Sequence, residues 1–444
     1  MATAKVKVWL GPWRAQRRRL RRWRRRLLFF LAVVGPGLII SNVDNDAGGI
    51  YTYSLAGARF GYLLLWTLIP MTAILYVTEE MAARMGVVTG KGLSDLIREE
   101  YGFRTTFFLM VAVLAVALGN ILAEFAGVAA SLELFGVSRY ISVPVGAALV
   151  WVLVVRGTAR VVEKIFLFLC VFYLAYVASA FLAQPDWLTA AYHTVRPTVE
   201  WNSSYLLLLL ALVGSTVAPW QHFYLQSAVV EKGVPPDRYR ETRADVLVGS
   251  VSCMAIVFFI IVCCAATLHA AGRTEIRDAA EAAGALKPLA GRYASALFAV
   301  GLLNASLFAA SVLPLSSAYV ICEGLGVEAG LDKGFREAPI FYWLYTALIV
   351  AGAGLILLPG TPLVRIMVLS QAVNAFLLPV VLIFMLKLVN RKDLMGVWRN
   401  TRGFNAVAWG TAAAMILLTL VLIYLAVSGA PVHLTAQGLT GPPG

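Results

Sequence analysis

Stretches of about twenty mostly apolar residues recur along the whole chain, and polar residues collect in the short segments between them. A helix needs about this length to cross a bilayer, so the pattern predicts eleven membrane-spanning helices in one polytopic domain, 27–429. The predicted spans are 27–58, 62–84, 106–134, 139–156, 164–184, 204–229, 245–269, 292–320, 339–358, 363–388 and 405–428. The first and the sixth are interrupted.

The first interruption places two carboxylates inside an apolar span. Residues 41–49 read SNVDNDAGG and contain Asp44 and Asp46. Ionisable side chains at membrane depth are costly and usually face the bundle interior or a water-filled path. Irregular backbone is tolerated there only where it is packed in protein or lines a cavity. The segment therefore predicts a cation site beside a broken helix.

The second interruption lies in the sixth span, where residues 214–222 read GSTVAPWQH. Pro219 has no N–H and disturbs the preceding turn, so carbonyl groups near 215–218 become available. The two breaks fall in the first span of each of two five-span sets, which predicts inverted repeats around a midplane site. A proline kink with no ligand is the alternative for Pro219, and its pairing with Asp46 favours the site.

Composition excludes an ordinary soluble domain, since the chain is 60% hydrophobic and only 14% charged. The net charge of +13 comes largely from arginines in the segment 1–26. Next to a first span, such a run is typical of a cytoplasmic anchor that attracts anionic lipid, and we favour this over nucleic-acid binding. Five cysteines (170, 253, 263, 264 and 322) suit neither a disulfide framework nor a zinc site, and core packing is expected.

Basic residues also set the predicted orientation. They concentrate in the loops 85–105, 157–163, 230–244, 321–338 and 389–404. The positive-inside rule then places the N-terminus in the cytoplasm and the tail 430–444 outside the cytoplasmic membrane. We expect a monomer.

Several motifs resemble the Nramp divalent-metal transporters. The matching segments are Gly35-Pro36-Gly37, Asp46-Ala47-Gly48-Gly49, Phe60-Gly61-Tyr62, 82–91, Leu122-Ala123-Glu124, 214–219, 224–227, Leu369-Ser370-Gln371, Leu378-Pro379 and Leu394-Met395-Gly396. The resemblance covers most of the chain in the family's order. It implies the broken-helix fold shared with sodium-coupled amino-acid transporters, and divalent metal ions as the transported substrate.

Departures from the family pattern change the expected ion. Asp46 keeps the metal-binding Asp position and Ser215 keeps a carbonyl position. Gly49 stands where the family has Asn, and Ala218 where it has Met. Loss of the soft thioether and of the amide leaves a wider site of oxygen ligands, which suits Mg²⁺ with most of its waters. The pattern resembles the Nramp-related magnesium transporters, with Mn²⁺ as a second substrate. The resemblance also places Gln371 near the metal during occlusion.

Coupling to protons is not expected. The family's third-span Asp is Ile121 here, whereas Glu124 is retained. His222 does not align with the family's sixth-span histidines, and a packed imidazole is favoured over a role in the path. Uptake would then be driven by the membrane potential, which supplies about 2.3 kcal/mol per charge per 100 mV.

Other polar residues keep two interpretations each. Asp44 is as well explained by lining the ion path as by lying outside it. Asn120 is a candidate to bind a water molecule in the path. Asn374 lies three residues after Gln371 on the same helical face, where an interhelical hydrogen bond is the alternative. The candidate metal-site residues are therefore Asp44, Asp46, Gly49, Ser215, Ala218 and Gln371, with Asn120, Glu124, His222 and Asn374 in the path or behind the ligands.

The end of the second span carries a further acidic pair. Glu79 and Glu80 either attract cations in a cytoplasmic vestibule or pair with Arg84, which is the commoner arrangement.

An enzyme is not expected, because the chain contains neither H-E-x-x-H nor G-x-S-x-G, and no cofactor is predicted. Three transport alternatives stay open. One is a proton-coupled Mn²⁺ or Fe²⁺ transporter. Another is a sodium-coupled symporter for an organic solute. Asp44 and Asp46 disfavour it, because they would repel an anionic substrate. A passive channel is the third, and the broken helices favour alternating access over it.

Overall fold

The computed structural model describes residues 36–157, 164–165, 168, 173–276, 279–283, 291 and 294–427, and its regular elements there are all helical. The basic segment 1–26, the tail 430–444 and Cys170 lie outside these ranges, so the predictions made for them stay predictions.

The α-helices are α1 Pro36–Val43, α2 Ala47–Phe60, α3 Leu68–Thr89, α4 Leu93–Glu133, α5 Arg139–Arg156, α6 Leu174–Leu182, α7 Trp187–Val195, α8 Ser203–Thr216, α9 Pro219–Glu231, α10 Tyr239–Cys264, α11 Ala279–Ala283, α12 Ala294–Leu325, α13 Pro339–Ile356, α14 Leu363–Val389, α15 Lys392–Met395 and α16 Arg402–Val427. A 3₁₀ turn, Leu65–Thr67, precedes α3, and a π turn, Ala265–His269, extends α10. Gly102 interrupts α4 with φ 78° and ψ 165°, so the short amphipathic start of α4 turns into its long apolar part there.

Eight helical segments among the described residues are long and apolar enough to cross a membrane. They are Leu93–Glu133, Arg139–Arg156, Ser203–Glu231, Pro236–His269, Ser295–Leu325, Pro339–Ile356, Leu363–Val389 and Arg402–Val421. The first two predicted spans are not among these eight. The first is divided into the short helices α1 and α2, and the second contains two glutamates and an arginine. Part of the fifth lies outside the described residues. The chain is thus a multi-pass helical protein.

Both predicted breaks are present. Between α1 and α2, Asp46 has extended backbone (φ −70°, ψ −177°) and caps α2 with its side chain. Between α8 and α9, Ala218 is extended (φ −85°, ψ 142°) and Pro219 is the first residue of α9, a position where its missing N–H costs nothing.

The broken helices are enclosed by the long ones. α10 packs against α1, α2 and α3, and α4 packs along α12 and α14. α8 packs on α14, which also contacts α2. The interior holds large buried rings such as Tyr51, Tyr53 and Phe125. The outer surface is also apolar, with Phe108, Trp343 and other large side chains exposed, which is typical of lipid contact.

The described cysteines fit the packing prediction. Cys253, Cys263, Cys264 and Cys322 are buried and none of them forms a disulfide within the described residues.

Candidate cation site

Asp46 lies buried at the first break, with 4% of its surface exposed. The Gly49 N–H donates to its Oδ1 at 2.5 Å, and Nε2 of Gln371 lies 3.3 Å from both carboxylate oxygens. Glu124 on α4 accepts the Ala47 N–H at 3.3 Å, so two carboxyl groups cover the first turn of α2. The positive end of a helix stabilises negative charge at this position. The break therefore fixes Asp46 without a basic partner.

An amide chain connects the site to α4. Asn120 donates through Nδ2 to Oδ1 of Asn374 at 2.8 Å, and Asn374 donates to Oε1 of Gln371 at 3.1 Å. All three side chains are about 1% exposed. Because Oε1 is engaged by Asn374, the NH₂ group of Gln371 faces Asp46. Asn120 and Asn374 thus reach the site through Gln371, and the Asn120–Asn374 contact is the interhelical hydrogen bond that was the alternative for Asn374.

Gln371 occupies a notch made by both broken helices. A Cβ atom at Gly48 would collide with Nε2 of Gln371 and lie 2.6 Å from the Met367 carbonyl oxygen. A Cβ atom at Gly214 would collide with the Gln371 carbonyl oxygen. α14 can approach both breaks only because these positions have no side chain. Sequence reasoning overlooked this role, although a glycine stands next to each break.

The expected widening at Gly49 is not found. A Cβ atom there would lie 2.5 Å from the Asp44 carbonyl oxygen, 3.0 Å from Ser215 Oγ and 3.1 Å from the ring of Tyr53. The turn between α1 and α2 folds its own backbone into the space that a side chain would need. Glycine at this position is therefore a packing requirement and does not enlarge the site.

The second break contributes backbone oxygen atoms. Pro219 cannot donate to the Ser215 carbonyl, which would accept its N–H in a continuous helix. The Thr216 carbonyl accepts from Nε2 of Gln221 at 3.3 Å instead. The methyl group of Ala218 is buried at the break, with 1% exposed. The second break is thus uncharged, and the role of the Ser215 carbonyl as a metal ligand stays a prediction.

A hydroxyl chain joins the two breaks. Ser215 Oγ donates to the Tyr53 hydroxyl at 2.8 Å, and that hydroxyl donates to the Asp44 carbonyl oxygen at 3.2 Å. The two breaks are therefore connected to each other by hydrogen bonds.

Asp44 does not join the Asp46–Gln371 contacts. Its carboxylate is 1% exposed, and neither oxygen has a hydrogen-bond partner within the described part of the chain. Its strongest charge interaction is with Glu79 on α3, followed by Asp46.

Within the described part of the chain, neither His222 nor Ile121 forms a hydrogen bond with Asp46. His222 is fully buried on α9, and neither ring nitrogen has a hydrogen-bond partner among the described residues. Ile121 packs on α13, where a Cβ atom at Gly352 would lie 2.5 Å from its Cγ2. The position of the family's third-span Asp is thus an apolar contact.

The two glutamates that end the second predicted span have different surroundings. Glu80 pairs with Arg84 at 3.1 Å, the commoner of the two predicted arrangements. Glu79 instead accepts hydrogen bonds from Ser41 Oγ at 2.8 Å and Ser250 Oγ at 3.3 Å.

The described residues contain no cluster of three or more His, Cys, Asp or Glu side chains able to hold a metal ion. A cation at Asp46 would need amide, carbonyl and water oxygens as well. Clefts open at both ends of α3, one lined by Gly61 and His269 and the other by Gly90 and Glu323, and Asp46 borders neither.

Comparison with known sequences gives one family. The family described as natural resistance-associated macrophage protein-like (Nramp) matches residues 37–425. The chain is 29% identical to the divalent metal cation transporter MntH of Deinococcus radiodurans, over 91% of this chain and 92% of that protein. It is 28% identical to MntH of Klebsiella pneumoniae subsp. pneumoniae, over 87% and 92% of the two chains.

Solved structures show the same fold. A manganese transporter of Eremococcus coleocola superposes with a TM-score of 0.73 at 21% identity, covering 92% of this chain and 90% of that one. Mhp1, a transporter of the nucleobase-cation-symport-1 family, superposes with a TM-score of 0.52 at 14% identity, covering 92% and 95%. This helical arrangement is therefore shared by transporters of different substrates.

Proposed function

Because this chain belongs to the Nramp family of divalent metal cation transporters, we propose that its main substrate is Mg²⁺, held partly hydrated at Asp46, with Mn²⁺ as a second substrate. The relatives are metal transporters and not enzymes, so the conclusion concerns which ion is carried and what drives it.

The observation that carries the proposal is the environment of Asp46. The carboxylate is buried and accepts hydrogen bonds from the Gly49 N–H and the Gln371 amide, and the carboxyl group of Glu124 lies within hydrogen-bonding reach of it. No ion pair between it and a basic side chain occurs within the described residues. A buried carboxylate without a basic partner is costly unless a cation or a proton balances it. A transported cation supplies that balance.

The ligands available around Asp46 favour a hard ion. The Gln371 amide lies beside the carboxylate, and in this proposal the Ser215 carbonyl is a further oxygen ligand, while Gly49 and Ala218 contribute no side-chain donor. Mg²⁺ keeps several waters and binds through one or two carboxylates, whereas thioether sulfur favours later transition metals. Replacement of the family's Met by Ala218 therefore removes the group that would prefer Mn²⁺ or Fe²⁺ over Mg²⁺.

Ion binding requires Gln371 to change its contact. In this structure its NH₂ group faces Asp46, and an amide nitrogen that donates to a carboxylate cannot coordinate a cation. The ion must therefore displace the NH₂ group. Gln371 becomes a ligand when its Oε1 turns toward the ion, and this oxygen has a second lone pair beside the one that accepts from Asn374.

Transport without proton coupling is supported by Ile121, which makes an apolar packing contact at the position where the family resemblance places a carboxylate. A divalent ion moving down an inside-negative potential gains about 2.3 kcal/mol per charge per 100 mV, and this gain counts twice for its two charges.

The membrane arrangement proposed with this function has eleven spans in two inverted five-helix repeats. The paired breaks at Asp46 and Pro219 and the fold shared with Mhp1 support it. The basic loops support a cytoplasmic N-terminus and an external C-terminus in the cytoplasmic membrane. Anionic lipid at segment 1–26 and a monomeric state complete the proposal.

A proton-coupled Mn²⁺ or Fe²⁺ transporter is the second candidate. Its support is the retained Glu124 beside Asp46 and the likeness to a manganese transporter. A sodium-coupled organic-solute symporter has only the fold of Mhp1 in its favour, and Asp44 and Asp46 oppose an anionic solute.

Uptake into proteoliposomes tests the ion preference. We expect Mg²⁺ and Mn²⁺ each to enter with saturation and to compete with each other, and Ca²⁺ to compete poorly. Entry of Mn²⁺ that excess Mg²⁺ leaves unchanged would reject Mg²⁺ as the main substrate.

A further inference from the structure

A second group of buried oxygen atoms lies beside the first break, where α1 and α3 both pack against α10. It consists of the carboxyl groups of Asp44 and Glu79, the amide of Asn45 and the hydroxyls of Ser41 and Ser250. The two serines donate to the same Glu79 oxygen, Oε2, so they hold that side chain in place.

Most of the remaining oxygens in this group have no partner. Both carboxylate oxygens of Asp44, Oε1 of Glu79 and Oδ1 of Asn45 are buried without a hydrogen bond in the described part of the chain. Asp44 is 1% exposed, and Glu79 and Asn45 are fully buried. Unsatisfied buried polar atoms are rare in folded proteins, and a group of them indicates an occupant such as water or an ion.

The charges around the group have one sign. Asp44 interacts with Glu79 and Asp46, and Glu79 interacts with Asp245. Asp245 is already committed, since its carboxylate accepts the N–H groups of Gly37 at 2.8 Å and Leu38 at 3.2 Å. No basic side chain is recorded as a charge partner of Asp44 or Glu79 in the described residues.

The neighbouring arginine is also committed. Arg84, on the same helix as Glu79, pairs with Glu80 and donates to the Trp398 carbonyl at 2.8 Å. The one basic side chain of α3 is therefore not available to Asp44 or Glu79.

We propose that Asp44 and Glu79 bind a second hard divalent cation, Mg²⁺ or Mn²⁺, separate from the ion at Asp46. The two carboxylates balance its charge, Asn45 offers an amide oxygen, and water completes the coordination, as Mg²⁺ prefers. The identity of the ion rests on the proposed function, whereas the position of the site does not.

The second ion would influence the first. Asp44 and Asp46 are two residues apart on the same turn, so two divalent cations bound there repel each other. When ions at neighbouring sites repel each other, the affinity of each site falls, so ions can bind and still leave quickly. We therefore expect loss of the second site to slow turnover more than it changes binding at Asp46.

Counting bound Mn²⁺ tests the proposal. The full chain is purified in detergent and titrated with Mn²⁺ alone, and free Mn²⁺ is measured by electron paramagnetic resonance at neutral and at mildly alkaline pH. We expect two bound ions in the wild type, one in Asp46→Asn, one in Glu79→Gln and none in the double variant. Glu79→Asp keeps a carboxylate and should regain the second ion with weaker affinity.

Glu323→Gln is the matched control. Glu323 is another buried glutamate with an unpartnered oxygen, but it lies on α12 at the cleft near Gly90, bonded to Ser227. Its removal should leave two bound ions. Thermal unfolding confirms that each variant is folded.

The outcomes separate the two claims. If Glu79→Gln binds as many ions as the wild type at both pH values, the second site does not exist and the two carboxyls share a proton instead. If Glu79→Gln loses an ion but Asp46→Asn does not, the second site stands and the proposed transport site fails.

Discussion

The two helix breaks are built from different chemistry. The break between α1 and α2 carries a carboxylate that Gly49 and Gln371 hold in place. The break between α8 and α9 has no ionisable group and offers carbonyl oxygens released by Pro219. α14 touches both, because Gly48 and Gly214 leave room for Gln371.

This difference separates ion capture from ion choice. The negative charge of Asp46 at the first break attracts a divalent cation. A neutral side chain at this position cannot supply that charge. In the proposed function the second break sets which cation fits best, since its neutral groups can be exchanged without changing the charge. Substitutions in the two breaks should therefore have effects of different kind and size.

The largest effect is expected from removing the charge of the first break. Asp46→Asn keeps the size of the side chain but not its charge. Uptake of Mg²⁺ and Mn²⁺ should fall by at least about 100-fold, since changes behind a metal ligand already cost about 10–100-fold. Uptake into proteoliposomes measures it.

Asp186→Asn provides the control for that loss. Asp186 also caps a helix, α7, but it lies in an exposed segment away from the breaks. Hydrogen bonds from the side chain and backbone of Thr189 hold its pKa below the usual value, so it is ionised at neutral pH. Unchanged uptake is expected for this variant, and equal losses in the two would reject the special role of Asp46.

A smaller loss is expected from restoring the family residue in the first break. Gly49→Asn should reduce uptake about tenfold or more, because a Cβ atom would press on the Asp44 carbonyl and on Ser215. Overpacking of this kind costs about 1–3 kcal/mol. Gly49→Ala should be similarly impaired. If the Asn variant transported Mn²⁺ better than both the Ala variant and the wild type, Gly49 would be a missing ligand and not a packing requirement.

A change of preference is expected from the second break. Ala218→Met adds a thioether where the family has one and should shift the Mn²⁺ to Mg²⁺ uptake ratio about tenfold toward Mn²⁺, a difference of about 1.4 kcal/mol. Competition between the two ions in one uptake assay measures the ratio. Ala218→Leu adds similar bulk without sulfur and should not produce this shift. A shift of equal size in both variants would show that shape, and not sulfur, sets the preference.

The smallest effect concerns the connection between the breaks. Asn374→Leu removes the hydrogen bond that holds Oε1 of Gln371. Interhelical hydrogen bonds in membranes are worth about 0.6 kcal/mol on average, so we expect the apparent affinity for Mg²⁺ to change about threefold. Asn390→Leu is the control, since Asn390 lies on the same helix but bonds to Asn405. Identical effects of the two would show that Asn374 acts only through helix stability.

Sequence reasoning succeeded where local chemistry decides the structure. The acidic, glycine-containing segment 41–49 predicted the first helix break, and Pro219 predicted the second, and both breaks are present. The family resemblance added the fold. Both inferences depend on residues that lie close together in the chain.

Features that depend on packing between distant helices could not be predicted in this way. The Asn120–Asn374 hydrogen bond joins α4 to α14, and the crowding at Gly49 depends on Ser215 from another helix. The hydrogen bond from Ser41 to Glu79 joins α1 to α3. Nothing in the spacing of these residues reveals which of them will touch.

The central claim is that a divalent ion passes Asp46 alone, with two charges and no proton. The voltage at which net Mg²⁺ flux stops in proteoliposomes tests it directly. For an uncoupled divalent ion this voltage shifts by about 30 mV per tenfold Mg²⁺ gradient, since tenfold is about 1.4 kcal/mol and two charges gain about 4.6 kcal/mol per 100 mV. We predict that slope and no dependence on a pH gradient. A zero-flux voltage that moves with the pH gradient would contradict the account.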